Sequence, residues 1–127
     1  MNEDDVSLFI LGNLVDYVFI VSYGGLLFGS AMILSRQLKS GSAGKKLGYI
    51  VSVLGVIAAC SDGLENVFLL SMVLNPLNFP TWLGVPHSLF AYLKSSLMYI
   101  SVRWVMLTLG YLALRRIWRT NTVARAT

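Results

Sequence analysis

Apolar residues fill three long stretches of this chain, and polar residues collect between them. The stretches run from Leu8 to Leu34, from Leu47 to Leu74 and from Ser88 to Leu114. Each exceeds the roughly 20 residues that a helix needs to cross about 30 Å of hydrocarbon. At about 27 residues each, they call for tilt or for ends that protrude into the headgroups. A lone strand would leave its backbone unpaired in lipid, so each stretch is predicted to be helical. The expected fold is an all-α membrane protein: three transmembrane helices in a small bundle, forming one domain over residues 1–127. The third stretch is interrupted by Lys94 and Arg103. Its uncharged part, Trp104 to Leu114, is too short to span alone, so the stretch must include both charges or not span at all.

The connections have different characters. Residues 35–46 contain Ser40-Gly41-Ser42-Ala43-Gly44 and read as a flexible polar loop. Residues 75–87 hold Pro76, Pro80 and Pro86 and no Lys or Arg. Proline there ends the second helix, and Pro86 stands at the start of the third. Phe79 and Trp82 suit a bilayer interface.

Composition fits this reading. The chain is 56% hydrophobic and 13% charged, with a mean hydropathy of +0.69. A soluble domain carries about 25% charged residues. The sequence pI near 9.5 reflects basic membrane flanks rather than affinity for nucleic acid. Arg36, Lys39, Lys45 and Lys46 lie in the first loop, and Arg115, Arg116, Arg119 and Arg125 in the tail over 115–127. The acidic N-terminus and the second loop have no basic residue. The positive-inside rule places the N-terminus outside and the C-terminus in the cytoplasm, and alternation of three spans agrees. A bacterial inner membrane is the expected location. The acidic start and long first apolar run argue against a cleaved signal peptide.

Asp16, Asp62, Glu65, Lys94 and Arg103 fall inside the spans. Each costs roughly 2.5–3.5 kcal/mol near a bilayer centre, so each is expected to turn inward and find a partner. Counting about 1.5 Å per residue puts Asp16, Glu65 and Lys94 in an outer layer about 9–13 Å deep. Asp62, Arg103 and Tyr23 fall in a middle layer about 18–22 Å deep. Asp62 with Arg103 is the expected deep pair. Lys94, nine residues away on nearly the opposite side of its helix, would snorkel outward unless the third helix lies between the other two. On a helical wheel Gly48, Gly55, Ala59, Asp62 and Asn66 share one stripe of the second helix, small residues followed by polar ones. Gly12, Asp16, Phe19, Tyr23 and Ser30 do the same on the first helix. Gly25 and Gly29 form a GxxxG pair on another face, suited to self-association or to packing within the bundle. Three acids against two bases leave one excess negative charge, and one carboxyl of the set is expected to hold a proton.

The run Asp62-Gly63-Leu64-Glu65-Asn66, followed by Val67-Phe68-Leu69-Leu70, resembles an Asp-x-x-Glu-Asn signature of small, uncharacterised bacterial integral membrane proteins. In these an apolar stretch follows the motif and a lysine often opens the next helix, a place similar to that of Lys94. The resemblance covers the second and third spans. It implies a membrane setting and a polar intramembrane site at Asp62, Glu65 and Asn66, and it brings no activity.

Recognisable catalytic chemistry is sparse. His87 is the single histidine and has no Cys or His partner in the sequence, which argues against a metal centre. Phosphate loops, dinucleotide fingerprints and nucleophile elbows are absent, and no cofactor is implied. Cys60, the single cysteine, is expected to be a buried structural thiol. Arg115, Arg116, Trp118 and Arg119, with Trp82 at the other end, read as interface anchors in contact with the lipid bilayer. The basic group also suits anionic lipid. The leading expectation is a non-enzymatic membrane protein that forms a homo-oligomer or joins a larger membrane complex. A proton-coupled carrier or channel subunit using Asp62 and Glu65 comes second. An intramembrane enzyme acting on a lipid comes third.

Overall fold

In a computed structural model the chain forms three long helices and one short 3-10 turn. The structure describes residues 3–74 and 80–124. Pro76 and Phe79 of the second connection, and Arg125 of the tail, lie outside the described residues. Helix α1 is Glu3–Gln37, α2 is Ala43–Leu74 and α3 is Gly84–Ala124, with the 3-10 turn at Thr81–Leu83. All three helices are long and apolar enough to cross a membrane. Their apolar residues occupy the whole circumference, the pattern of a helix surrounded by lipid and neighbours rather than by water.

The serines turn their hydroxyls back onto their own helices. The hydroxyls of Ser22, Ser35 and Ser61 donate to the carbonyls of Val18, Ala31 and Ile57, one turn back. That bond satisfies the hydroxyl without a tertiary partner.

Helix α2 is the centre of the bundle. It packs along both α1 and α3, while α1 and α3 meet only over a short stretch. The central position belongs to the second helix, not to the third. Small residues make the close approach. A Cβ on Gly24 would come within 2.7 Å of the Ala59 Cβ, and one on Gly48 would overlap the Ser35 hydroxyl and lie 2.5 Å from the Trp104 ring. Ser35, Ser52 and Ser101 are the largest side chains buried completely. A membrane bundle gains little from hiding leucine from lipid, so contacts between small residues supply the packing. Gly48, Gly55 and Ala59 all lie on the packed side of α2. Gly25 and Gly29 meet nothing within 4 Å and leave an open stripe on α1.

The first connection is a tight turn rather than a flexible loop. Gly41 adopts φ +79°, a left-handed conformation that glycine takes without strain. The Ser42 hydroxyl then accepts the Lys45 N–H at 3.3 Å and caps α2. The end of α3 also departs from the expected boundary at Leu114. No glycine or proline follows Gly110, and arginine is a good helix former, so α3 continues through the basic segment to Ala124. At its other end α3 begins at Gly84, which draws Pro86 and His87 into its first turns.

Candidate functional site

The polar side chains gather toward the end of the bundle that carries the α2–α3 connection. The centre is Lys94 on α3. Its Nζ lies 2.6 Å from Asp62 Oδ1 and 2.7 Å from Glu65 Oε2. The contact to Asp62 is a formed hydrogen bond. The contact to Glu65 is close but off the hydrogen-bonding direction, so it acts through charge. Asp62 and Glu65 are three residues apart on one helix face, which lets one ammonium serve both.

Helix α1 enters the site through two tyrosines and an acid. Tyr23 Oη donates to Asp62 Oδ2 at 2.9 Å, so both oxygens of Asp62 are occupied. Tyr17 Oη donates to the Gly63 carbonyl at 3.2 Å. Asn66 Nδ2 donates to Asp16 Oδ2 and ties α2 back to α1 one turn further along. The Phe68 and Phe90 rings stack at 5.8 Å and pin α2 to α3 beside these polar contacts. Asp62 and Asn66 are buried, and Asp16, Tyr23, Glu65 and Lys94 are partly so.

Two further residues complete the site. His87 Nδ1 stands 3.9 Å from Glu65 Oε1, beyond hydrogen-bond length, and is buried without a hydrogen-bond partner. Sequence reasoning left His87 in a loop. The missed signal is its spacing: it precedes Lys94 by two helical turns and so shares its face. Tyr17 was missed too, since it lies off the stripe defined by Asp16 and Tyr23.

No family model, no curated protein and no solved structure matches the chain.

Arg103 is not part of the cluster. It sits on the exposed side of α3, and its guanidinium Nη1 donates to the Tyr99 hydroxyl at 3.2 Å, one turn back on the same helix. The partner of Asp62 is therefore Lys94. The reason is helix order. With α2 in the middle, the α3 face that carries Lys94 meets both acids, and the opposite face points away from the bundle. The inner polar layer contains Asp62 with Lys94 and Tyr23, and the Lys94 ammonium stays inside instead of snorkelling. Cys60 also departs from expectation, being an exposed free thiol on the outer surface of α2. Gly12 and Phe19 are exposed as well, so the α1 stripe narrows to Asp16, Tyr23 and Ser30. Trp82, Arg115, Arg116, Trp118 and Arg119 lie exposed at the two ends of the bundle. Among the described residues, no three His, Cys, Asp or Glu side chains are grouped to hold a metal ion.

The cluster thus sets two carboxylates against one ammonium, with an imidazole at the edge. It can fasten three helices together.

Proposed function

We propose that this chain is a non-enzymatic subunit of a larger assembly in a bacterial inner membrane, with its N-terminus outside and its C-terminus in the cytoplasm. The distribution of basic residues supports that orientation. The cluster of Asp62, Glu65, Lys94, Tyr23, Asp16 and Asn66 is read as the clamp that fixes the bundle. Nearly every group in it already has a partner on another helix, which leaves little for catalysis.

The observation that carries the assembly reading is Arg103. It lies twelve residues before Arg115, about 18 Å along the helix from the basic rim. Its side chain turns back toward Tyr99, away from that rim. A guanidinium directed at lipid at such a depth costs roughly 2.5–3.5 kcal/mol. A neighbouring transmembrane helix with a carboxylate at that level removes the cost. The three acids of this chain at membrane depth are engaged inside its own bundle. A second copy therefore has none free to offer, which favours a different protein as the partner. The test is purification in a mild detergent, with native mass spectrometry of the wild type and Arg103→Leu. The wild type is expected to carry a partner that the variant loses while its helices persist. A wild type that is monomeric throughout, or an Arg103→Leu assembly that is unchanged, refutes the reading.

The contact of His87 with Glu65 favours a second reading, a proton-coupled carrier or channel subunit. It requires that Glu65→Gln and His87→Asn abolish proton uptake into vesicles while leaving the fold intact. Uptake equal to the wild type in both variants excludes it.

A further inference from the structure

The basic end of the bundle holds a cleft of about 500 Å³ between the first connection and α3. It lies far from the Lys94 cluster. Two cations line it, Lys39 from the turn and Arg115 from α3, and the Ser42, Thr108 and Tyr111 residues add hydroxyls. Trp104 forms an apolar wall.

Three features point to an anion. Thr108 is only 8% exposed and lines the cleft, yet its hydroxyl makes no hydrogen bond to another described residue. The hydroxyl is thus free to donate into the cleft. The cleft also receives the N-terminus of α2, whose first turn contains no acid. Lys45 and Lys46 stand there instead, at positions where a helix dipole favours negative charge. The Ser42 hydroxyl and carbonyl take the Lys45 and Lys46 N–H groups, which leaves the Ala43 and Gly44 N–H groups to meet an anion from outside. Finally, the cleft opens beside the exposed Leu107 and Tyr111 on the apolar surface of α3. An anion with hydrocarbon chains fits both parts of that surface, and a free ion fits only one.

The geometry points to a phosphate-binding site filled by the headgroup of an anionic phospholipid. Lys39 and Arg115 hold the phosphate oxygens, the Thr108 hydroxyl and the α2 N-terminus donate to them, and the acyl chains run along Leu107 and Tyr111. The inference is independent of the partner proposed for Arg103.

The experiment uses the full chain in detergent and native mass spectrometry, with phosphatidylglycerol, phosphatidylcholine of the same acyl chains, or inorganic phosphate added. Phosphatidylglycerol is expected to be retained in preference to the other two. Each basic residue near an anionic surface contributes roughly fivefold in binding. Lys39→Ala/Arg115→Ala is therefore expected to weaken retention roughly 25-fold. Thr108→Val, which keeps the side-chain shape, tests the cleft with both charges intact and is expected to weaken retention by several-fold. Arg116→Ala removes a charge that lines a different depression at the same end and is expected to change little. Equal retention of phosphatidylcholine overturns the proposal. So does a loss in Arg116→Ala as large as in Lys39→Ala/Arg115→Ala, and so does retention of inorganic phosphate without lipid.

Discussion

Replacing Lys94 by methionine removes the one ammonium that two carboxylates share. In the wild type Nζ is 2.6 Å from Asp62 and 2.7 Å from Glu65, whose side chains are 9% and 14% exposed. Removing one side of a buried ion pair costs about 3–5 kcal/mol, because the remaining charge is left without compensation. Here two charges lose their partner, one turn apart on the same face, and they repel each other. Against that, the Lys94 side chain is 28% exposed, so water reaches the site, and Tyr23 still donates to Asp62. These moderating effects place the loss near the lower end, about 3 kcal/mol. In an Asp62→Asn/Glu65→Gln background the same change meets no charge and should cost below about 1 kcal/mol. The coupling energy of the cycle is then about 2 kcal/mol. Unfolding by sodium dodecyl sulfate in mixed micelles measures it. Trp104, which packs over Gly48, supplies the fluorescence signal once Trp82 and Trp118 are replaced by phenylalanine. An equal loss in both backgrounds, or a single-variant loss under about 0.5 kcal/mol, would show that Lys94 is not the fastener of the bundle.

Other perturbations read other parts of the structure. Gly48→Val must displace Ser35 and the Trp104 ring and should cost about 1–3 kcal/mol, whereas Gly25→Ala and Gly29→Ala meet open space and should leave unfolding in detergent unchanged. Tyr23→Phe removes the second donor to Asp62 and should cost about 1.5–3 kcal/mol by the same assay; a silent variant would remove α1 from the clamp. Gly41→Ala forces a side chain into the left-handed region at φ +79° and should cost about 1–2 kcal/mol.

Much of the architecture is legible in the order of residues. Three apolar runs of spanning length dictate three helices, because lipid offers the backbone no other partner. The stripe from Gly48 to Asn66 marks the packed face of α2, since small and polar residues gain nothing from facing acyl chains. The pairing of charges was not legible. Depth counted from uncertain span ends carries an error of about one turn, and Lys94 and Arg103 lie nine residues apart on opposite faces. Which of the two meets Asp62 depends on which helix occupies the middle, a property of packing rather than of any single run. Proline misled in a similar way. Pro86 was read as the boundary of α3, but proline is tolerated in the first turn of a helix. The helix starts two residues earlier, at Gly84, and carries His87 to Glu65.

The arrangement of the clamp bears on how the chain enters a membrane. As synthesis proceeds, α1 and α2 precede α3, and between their ends they carry Asp16, Asp62 and Glu65 with no basic residue at that level. Tyr23 and Asn66 can satisfy part of that demand from within the pair. The neutralising ammonium reaches the site only when the third helix is inserted. A hairpin truncated after α2 is accordingly a poor resident of lipid, and the final helix acts as the step that makes insertion of the first two durable.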